Sequence, residues 1–147
     1  MVNYNLTVFE AKIDLCCVKI LFVCEYNACR SQIAEGLARA LLPENFSITS
    51  AGIYPGELNW VTIEVMKEIG IDISTQRSKL LAEVLDRRFD QVIVLAEAAW
   101  RAVEMLKTDH KLLWPFPDPA CDPGDAEAVK GRIRRVRDQL RERILTL

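Results

Sequence analysis

The chain has 147 residues, of which half are hydrophobic and 27% are charged, as is typical of one globular domain. Nineteen Lys and Arg residues against 21 Asp and Glu residues give a formal net charge of -2, which provides no overall basic surface for nucleic acid or anionic lipid. No apolar stretch approaches the roughly 20 residues of a membrane span, and the first 17 residues lack a secretory signal pattern. We therefore expect a cytoplasmic protein with no nucleic-acid or membrane partner.

The cysteine and histidine content limits the chemistry that the chain can perform. Five cysteines at irregular spacing are an odd set, which predicts free thiols and not a disulfide framework. His110 is the only histidine and no CxxC pair occurs, so the usual zinc sites lack ligands. We expect no metal and no cofactor.

Strands and helices alternate along the predicted chain. In chain order the predicted elements are strand 18–23, a helix from Ser31 to just before Pro43, strand 46–51, helix 62–69, strand 91–96, helix 97–106, strand 111–113, a Pro-rich loop 114–124 and amphipathic helix 129–147. Right-handed crossovers between such strands predict an α/β fold with a four-stranded parallel sheet and helices on both faces. Residues 1–17 are interpreted as an appendage with no catalytic part, and residues 18–147 as the single domain.

The carboxyl end of the first strand carries the most informative motif, CEYNACRS, which begins at Cys24. Ligands of parallel sheets bind at this edge, and a loop of this length can turn its N–H groups toward one tetrahedral oxyanion. The predicted nucleophile is Cys24, whose thiolate the loop amides, the helix N-terminus and Arg30 would stabilise. The predicted oxyanion-binding residues are Glu25, Tyr26, Asn27, Ala28, Cys29, Arg30 and Ser31.

Two residues of this motif have predicted structural roles. Ser31 is predicted to cap the following helix. Asn27 is predicted to hold a left-handed backbone position, because the loop contains no glycine. The alternative interpretation is that Cys24 is an ordinary buried strand residue and Arg30 a surface charge.

The chain resembles the low-molecular-weight tyrosine phosphatases, and specifically their arsenate reductase branch. The matching segments are CEYNACRSQIAEGLAR, SAGI, EIGIDIS followed by QRSK, DQVIVL, and FPDPA followed by RRVRDQLRERI. The resemblance implies a four-stranded parallel sheet, Cys24 as nucleophile, Arg30 and the loop amides as oxyanion binders, and Ser31 as a hydrogen-bond donor to the thiolate. It also implies that Asp118 is the general acid. Asp122 is a competitor on the sequence, because it too precedes a proline in the loop after the last strand.

The chain departs from this branch in its cysteines. Thioredoxin-coupled members carry a Cys directly after the strand that matches DQVIVL, but this chain has Ala96 there and no Cys between residues 30 and 120. The remaining candidates for a resolving thiol are Cys121, which we favour, and Cys29. Cys16 and Cys17 lie at the opposite end of the first strand and are poor candidates.

Three functions remain open on the sequence alone. The leading hypothesis is an arsenate reductase that uses thioredoxin, glutaredoxin or a small thiol as reductant. The alternative is a phosphatase that hydrolyses phosphate monoesters through a phosphocysteine, which the missing relay cysteines favour. The third is a non-enzymatic oxyanion-binding module, for which the Arg-rich stretch 132–143 could be cited, although such residues usually form a solvated helix face.

Overall fold

The structure is a computed structural model that describes residues 17–122 and 124–147. Within these ranges, six strands and three α-helices follow one another as β1 Val18–Cys24, α1 Arg30–Leu41, β2 Phe46–Gly52, α2 Trp60–Lys67, β3 Arg88–Phe89, β4 Gln91–Val94, β5 Lys107–Thr108, β6 Lys111–Leu113 and α3 Ala126–Ile144. Short 3-10 helices cover Leu81–Val84, Glu97–Ala99 and Arg101–Met105. Residues 1–16, most of the predicted appendage, lie outside the described residues.

Strand β1 lies in the middle of the main sheet, whose order is β2-β1-β4-β6 with every pairing parallel. The predicted four-stranded parallel sheet is confirmed. Residues 20–23 of β1 are all fully buried, and four consecutive buried strand residues require cover on both faces of the sheet. The chain leaves β1 toward β2 and later returns to β4 on the other side, so ligands are expected beyond the carboxyl end of β1.

Helix α3 packs its apolar stripe against the other helices. Ile133, Val136, Leu140 and Ile144 are buried, and α3 contacts both α1 and α2, so the predicted amphipathic helix is confirmed. It begins three residues before the predicted start, because the side chain of Asp125 accepts a hydrogen bond from the backbone N–H of Glu127.

The polar side of α3 differs from the solvated face that the sequence predicted. Arg137 is buried and donates to the backbone oxygen of Val65 and to the carboxylate of Glu68, both at 2.9 Å. Arg134 makes a bidentate pair with the same carboxylate. These guanidinium groups join α3 to α2, so the Arg-rich stretch is partly a structural contact.

Two other predicted helices differ in detail. The helix predicted at 62–69 begins at Trp60, because Asn59 caps it by accepting from the N–H groups of Val61 and Thr62. Residues 97–106 form two 3-10 helices and not one α-helix. A small second sheet, in which β3 pairs with β5, was not predicted. Within the described residues no helix is long and apolar enough to cross a membrane.

Candidate active site

The loop between β1 and α1 is held in shape by the buried side chain of Asn27. Its φ of 52° is left-handed, which confirms the predicted backbone position. The amide nitrogen donates to the hydroxyls of Ser31 and Ser50 at 2.7 and 2.8 Å. The amide oxygen accepts from the backbone N–H of Lys79 at 2.8 Å and from Gln32 at 3.0 Å. Four hydrogen bonds therefore fix the residue on which the turn depends.

The carbonyl groups of this loop all bond to the surrounding protein. The backbone oxygens of Glu25, Ala28 and Cys29 accept from backbone N–H groups, those of Ile53 and Tyr54 for Glu25, Asn59 for Ala28 and Ile33 for Cys29. The backbone oxygen of Tyr26 accepts from the Ser78 hydroxyl, and that of Asn27 from the Gln32 side-chain amide. Among the described residues, no acceptor pairs with the N–H groups of residues 26–29, and the first turn of α1 adds further N–H groups that no helical carbonyl can reach. A run of free N–H groups at a helix N-terminus is suited to binding an anion, and we refer to this run as the cradle.

Two glycines let the neighbouring segment approach this cradle. A Cβ on Gly52 would lie 2.7 Å from the backbone nitrogen of Asn27, and one on Gly56 would lie 2.6 Å from the oxygen of Tyr26. Both distances are shorter than real side chains allow. Sequence reasoning did not assign this role to either residue, although Gly52 lies within the quoted SAGI segment.

Cys24 ends β1 at the bottom of the cradle and is 2% exposed. Its Sγ lies 2.8 Å from the hydroxyl oxygen of Ser31. Because Asn27 already donates to that oxygen, the hydroxyl hydrogen of Ser31 is free to point at the sulfur. The predicted capping role of Ser31 is wrong: α1 begins at Arg30 with Cys29 at the cap position, and the Ser31 hydroxyl turns toward Cys24.

Arg30 links the cradle to the loop that follows β6 and contains Phe116 and Asp118. Its buried guanidinium donates through Nη1 to the backbone oxygen of Phe116 at 2.8 Å. Nη2 lies 3.3 Å from the carboxylate of Glu25. The residue that is predicted to bind the oxyanion therefore also holds the segment that leads to Asp118.

One pocket of about 210 Å³ contains Cys24, Arg30 and Asp118 together. Asp122 does not line it. The backbone oxygen of Asp122 instead accepts from Arg132 at 2.6 Å, and Arg132 also donates to the oxygen of Pro119 at 3.1 Å. Asp118, and not Asp122, therefore shares a pocket with Cys24. The other lining residues are Tyr26, Ala28, Cys29, Gly56, Asn59 and Ala120.

The two candidate resolving thiols occupy different environments. Cys29 lines the pocket and is buried, and this burial raises the pKa of its thiol to about 12. Cys121 is exposed and does not line the pocket. Cys17 lies directly before β1, and Cys24 is the last residue of that seven-residue strand. Ala96 is buried at the position where a relay cysteine would stand.

An ionic network around the buried Glu35 lies next to the cradle and was not predicted from the sequence. Ser50 donates to the buried carboxylate of Glu35 at 2.7 Å. Lys79 and Arg39 lie 3.5 and 3.3 Å from the same carboxylate. Burial lowers the pKa of the Lys79 ammonium group.

No cluster of three or more His, Cys, Asp and Glu residues suited to a metal ion occurs in the part of the chain that the structure describes.

A match to a known protein family extends over almost the whole chain. The family model of low molecular weight phosphotyrosine protein phosphatases matches residues 19–145. The chain belongs to this family. An arsenate reductase of Halalkalibacterium halodurans is 38% identical over 128 residues, which cover 86% of this chain and 92% of that relative.

Solved structures of this phosphatase family lead to the same result. An arsenate reductase in the phosphate binding state superposes with a TM-score of 0.72 and 32% identity, over 88% of this chain and 95% of that one. The low molecular weight protein tyrosine phosphatase of T. tengcongensis superposes with a TM-score of 0.71 and 28% identity, over 88% and 99%. The resemblance to the arsenate reductase branch is confirmed.

Proposed function

We propose that this protein is an arsenate reductase in which Cys24 attacks the oxyanion. The observation that carries the proposal is the cradle, in which the carbonyls of residues 25–29 bond outward and leave N–H groups free around Cys24. Arg30 supplies the positive charge, and Ser31 donates to the thiolate. Relatives named arsenate reductase support the choice of substrate.

In the first step the thiolate of Cys24 attacks the arsenic atom of bound arsenate. A sulfur–arsenic bond forms while an arsenic–oxygen bond breaks, and the departing oxygen leaves as water after it receives a proton. Asp118 lines the same pocket and is the proposed proton donor. Arsenic stays in the +5 state in this step.

In the second step another thiol attacks the sulfur of Cys24. A disulfide forms, the sulfur–arsenic bond breaks, and its electron pair remains on arsenic, which leaves as arsenite in the +3 state. Two thiols are oxidised for each arsenate reduced. Thioredoxin, glutaredoxin or a small thiol then reduces the disulfide.

Cys121 is the proposed internal resolving thiol. The high pKa of Cys29 leaves little thiolate for an attack, and its position at the start of α1 ties it to the cradle. Cys121 is exposed and lies three residues after Asp118 on the same loop, so it must swing inward to reach Cys24. Without that movement, an external thiol would attack the adduct directly.

A phosphatase remains the second proposed function. The position of Asp118 in the pocket suits a general acid for an aryl leaving group. Among the described residues, Cys29 is the only cysteine besides Cys24 that lines this pocket, so the pocket offers few thiols for a reductase. Water would then hydrolyse a phosphocysteine at Cys24.

Parallel assays distinguish the two functions. Arsenite formation is measured with thioredoxin, glutaredoxin and dithiothreitol as donors, beside hydrolysis of an aryl phosphate, for wild-type protein and Cys24→Ser. A reductase forms arsenite with at least one donor and loses this activity in Cys24→Ser. Aryl phosphate hydrolysis without arsenite formation from any donor would replace the reductase with the phosphatase.

A further inference from the structure

The residue directly after the nucleophile places a carboxylate against the oxyanion-binding arginine. Oε1 of Glu25 lies 3.3 Å from Nη2 of Arg30, and the Glu25 side chain is 28% exposed. The Glu25 backbone is fixed as well, because its oxygen accepts from the N–H groups of Ile53 and Tyr54 at 2.8 Å. The carboxylate is thus held in a partly shielded position.

Glu25 lies outside the pocket that contains Cys24. It lines a neighbouring cavity together with Glu97 and Phe116, and both Arg30 and Asp118 line this cavity as well as the Cys24 pocket. The Arg30 guanidinium, which contacts the Glu25 carboxylate, thus also lines the pocket in which the oxyanion would bind. The Glu25 side chain contacts Arg30 but does not line the Cys24 pocket, so any effect of its charge on a bound anion would be exerted through Arg30.

Two opposite effects on anion binding follow from this arrangement. The ion pair restrains the Arg30 side chain, which favours binding, while the negative charge reduces the positive potential at the pocket, which opposes it. The 2.8 Å bond from Arg30 to the oxygen of Phe116 also restrains the side chain, and it does not depend on Glu25. The loss of the Glu25 charge would therefore leave Arg30 oriented and more strongly positive toward an anion.

We infer that Glu25 sets the affinity of the oxyanion site by partly neutralising Arg30. The inference rests on the proposed function insofar as Arg30 binds the oxyanion. Because Glu25 does not line the pocket, it weakens arsenate and phosphate binding by the same factor. Glu25 thus lowers the affinity of the site for tetrahedral anions of equal charge without making the site more selective between them.

Calorimetric titration with inorganic phosphate tests the inference without any turnover. The proteins compared are wild type, Glu25→Gln, which keeps the shape and an acceptor for Arg30, and Glu97→Gln as the matched control. Glu97 is exposed, lines the same outer cavity and makes no ion pair with Arg30. We expect phosphate to bind roughly three- to tenfold more tightly to Glu25→Gln and less than about twofold more tightly to Glu97→Gln.

The outcomes separate this inference from the proposed function. Unchanged or weaker phosphate binding by Glu25→Gln, or equal tightening in Glu97→Gln, would overturn the role of Glu25 while leaving the oxyanion site in place. No phosphate binding by the wild-type protein would overturn the site itself and the inference with it. In turnover, KM for arsenate should fall by the same factor as the phosphate Kd, and a factor that differs between the two anions would contradict an action through Arg30.

Discussion

The hydroxyl oxygen of Ser31 lies 2.8 Å from the sulfur of Cys24 and accepts a hydrogen bond from the Asn27 amide at 2.7 Å. The hydrogen bond from Asn27 orients the Ser31 hydroxyl, because it leaves the hydroxyl hydrogen free to point toward the Cys24 sulfur. A thiolate at Cys24 thus has a donor that is already in place before any substrate binds. The arrangement connects the left-handed turn at Asn27 to the expected reactivity of Cys24, the proposed nucleophile.

Ser31→Ala should slow the alkylation of Cys24 by iodoacetamide at mildly acidic pH, by several-fold, because the thiolate loses a hydrogen-bond donor. Peptide mapping by mass spectrometry gives the rate for each cysteine. Cys121 is exposed and far from the cradle loop in sequence, so its rate serves as the internal control and should not change. An unchanged Cys24 rate in Ser31→Ala would remove the hydroxyl from the activation of the nucleophile.

Asp118→Asn should reduce aryl phosphate hydrolysis by roughly a hundredfold or more, because the leaving group loses its proton donor. Asp122→Asn is the matched control and should have little effect, since Asp122 does not line the Cys24 pocket. Steady-state kcat values for the two variants provide the comparison. The opposite ranking would assign the acid to Asp122.

Cys121→Ser should abolish thioredoxin-dependent arsenate reduction and spare aryl phosphate hydrolysis, because the nucleophile and its cradle remain intact. Arsenate-treated wild-type protein should yield a Cys24–Cys121 disulfide peptide in a non-reducing digest. Cys29→Ser is the comparison variant, and we expect it to retain reductase activity. Full thioredoxin-dependent activity in Cys121→Ser would exclude an internal relay through this residue.

Glu68 should make the folded state sensitive to acid. Hydrogen bonds from Arg134, together with those from Arg137, lower the pKa of Glu68 from 4.5 to about 2. A carboxyl group whose pKa is lower in the folded state stabilises the fold above its unfolded pKa, and this stabilisation is lost as the pH falls from about 4.5 toward 2. Glu68 is partly exposed, so solvent screening reduces the effect.

Thermal unfolding followed across this pH range checks the contribution of Glu68. Glu68→Gln should lower the Tm at neutral pH, and the difference from wild type should shrink as the pH falls below about 4.5. Glu142→Gln, a change on the exposed side of α3, is the control. A Tm difference for Glu68→Gln that does not change with pH would show that the ion pair is not its source.

The elements that could be predicted from the sequence are those whose signal is local. The apolar run in β1 and the three-and-four spacing in α3 directly reflect burial, and both elements form as expected. The turn at Asn27 was predictable because only eight residues define it and none of them is glycine. Residues 97–106 failed as an α-helix because their composition cannot distinguish an α-helix from successive 3-10 turns.

The parts of the site that could not be predicted depend on contacts between distant residues. Lys79 donates its backbone N–H to Asn27 from 52 positions away, and Ser50 bonds to Glu35 across 15. Arg137 reaches Glu68 from 69 positions away, so a residue that looks solvated by periodicity is buried. No single segment contains the information that brings these groups together.

The most direct test of the account is arsenite formation from arsenate by wild-type protein and by Cys24→Ser, with dithiothreitol as the reductant. The account predicts catalytic arsenite formation by the wild-type protein, inhibited competitively by phosphate, and none above the dithiothreitol background by Cys24→Ser. Equal arsenite formation by the two proteins, or formation that phosphate does not inhibit, would contradict attack by Cys24 within the oxyanion cradle.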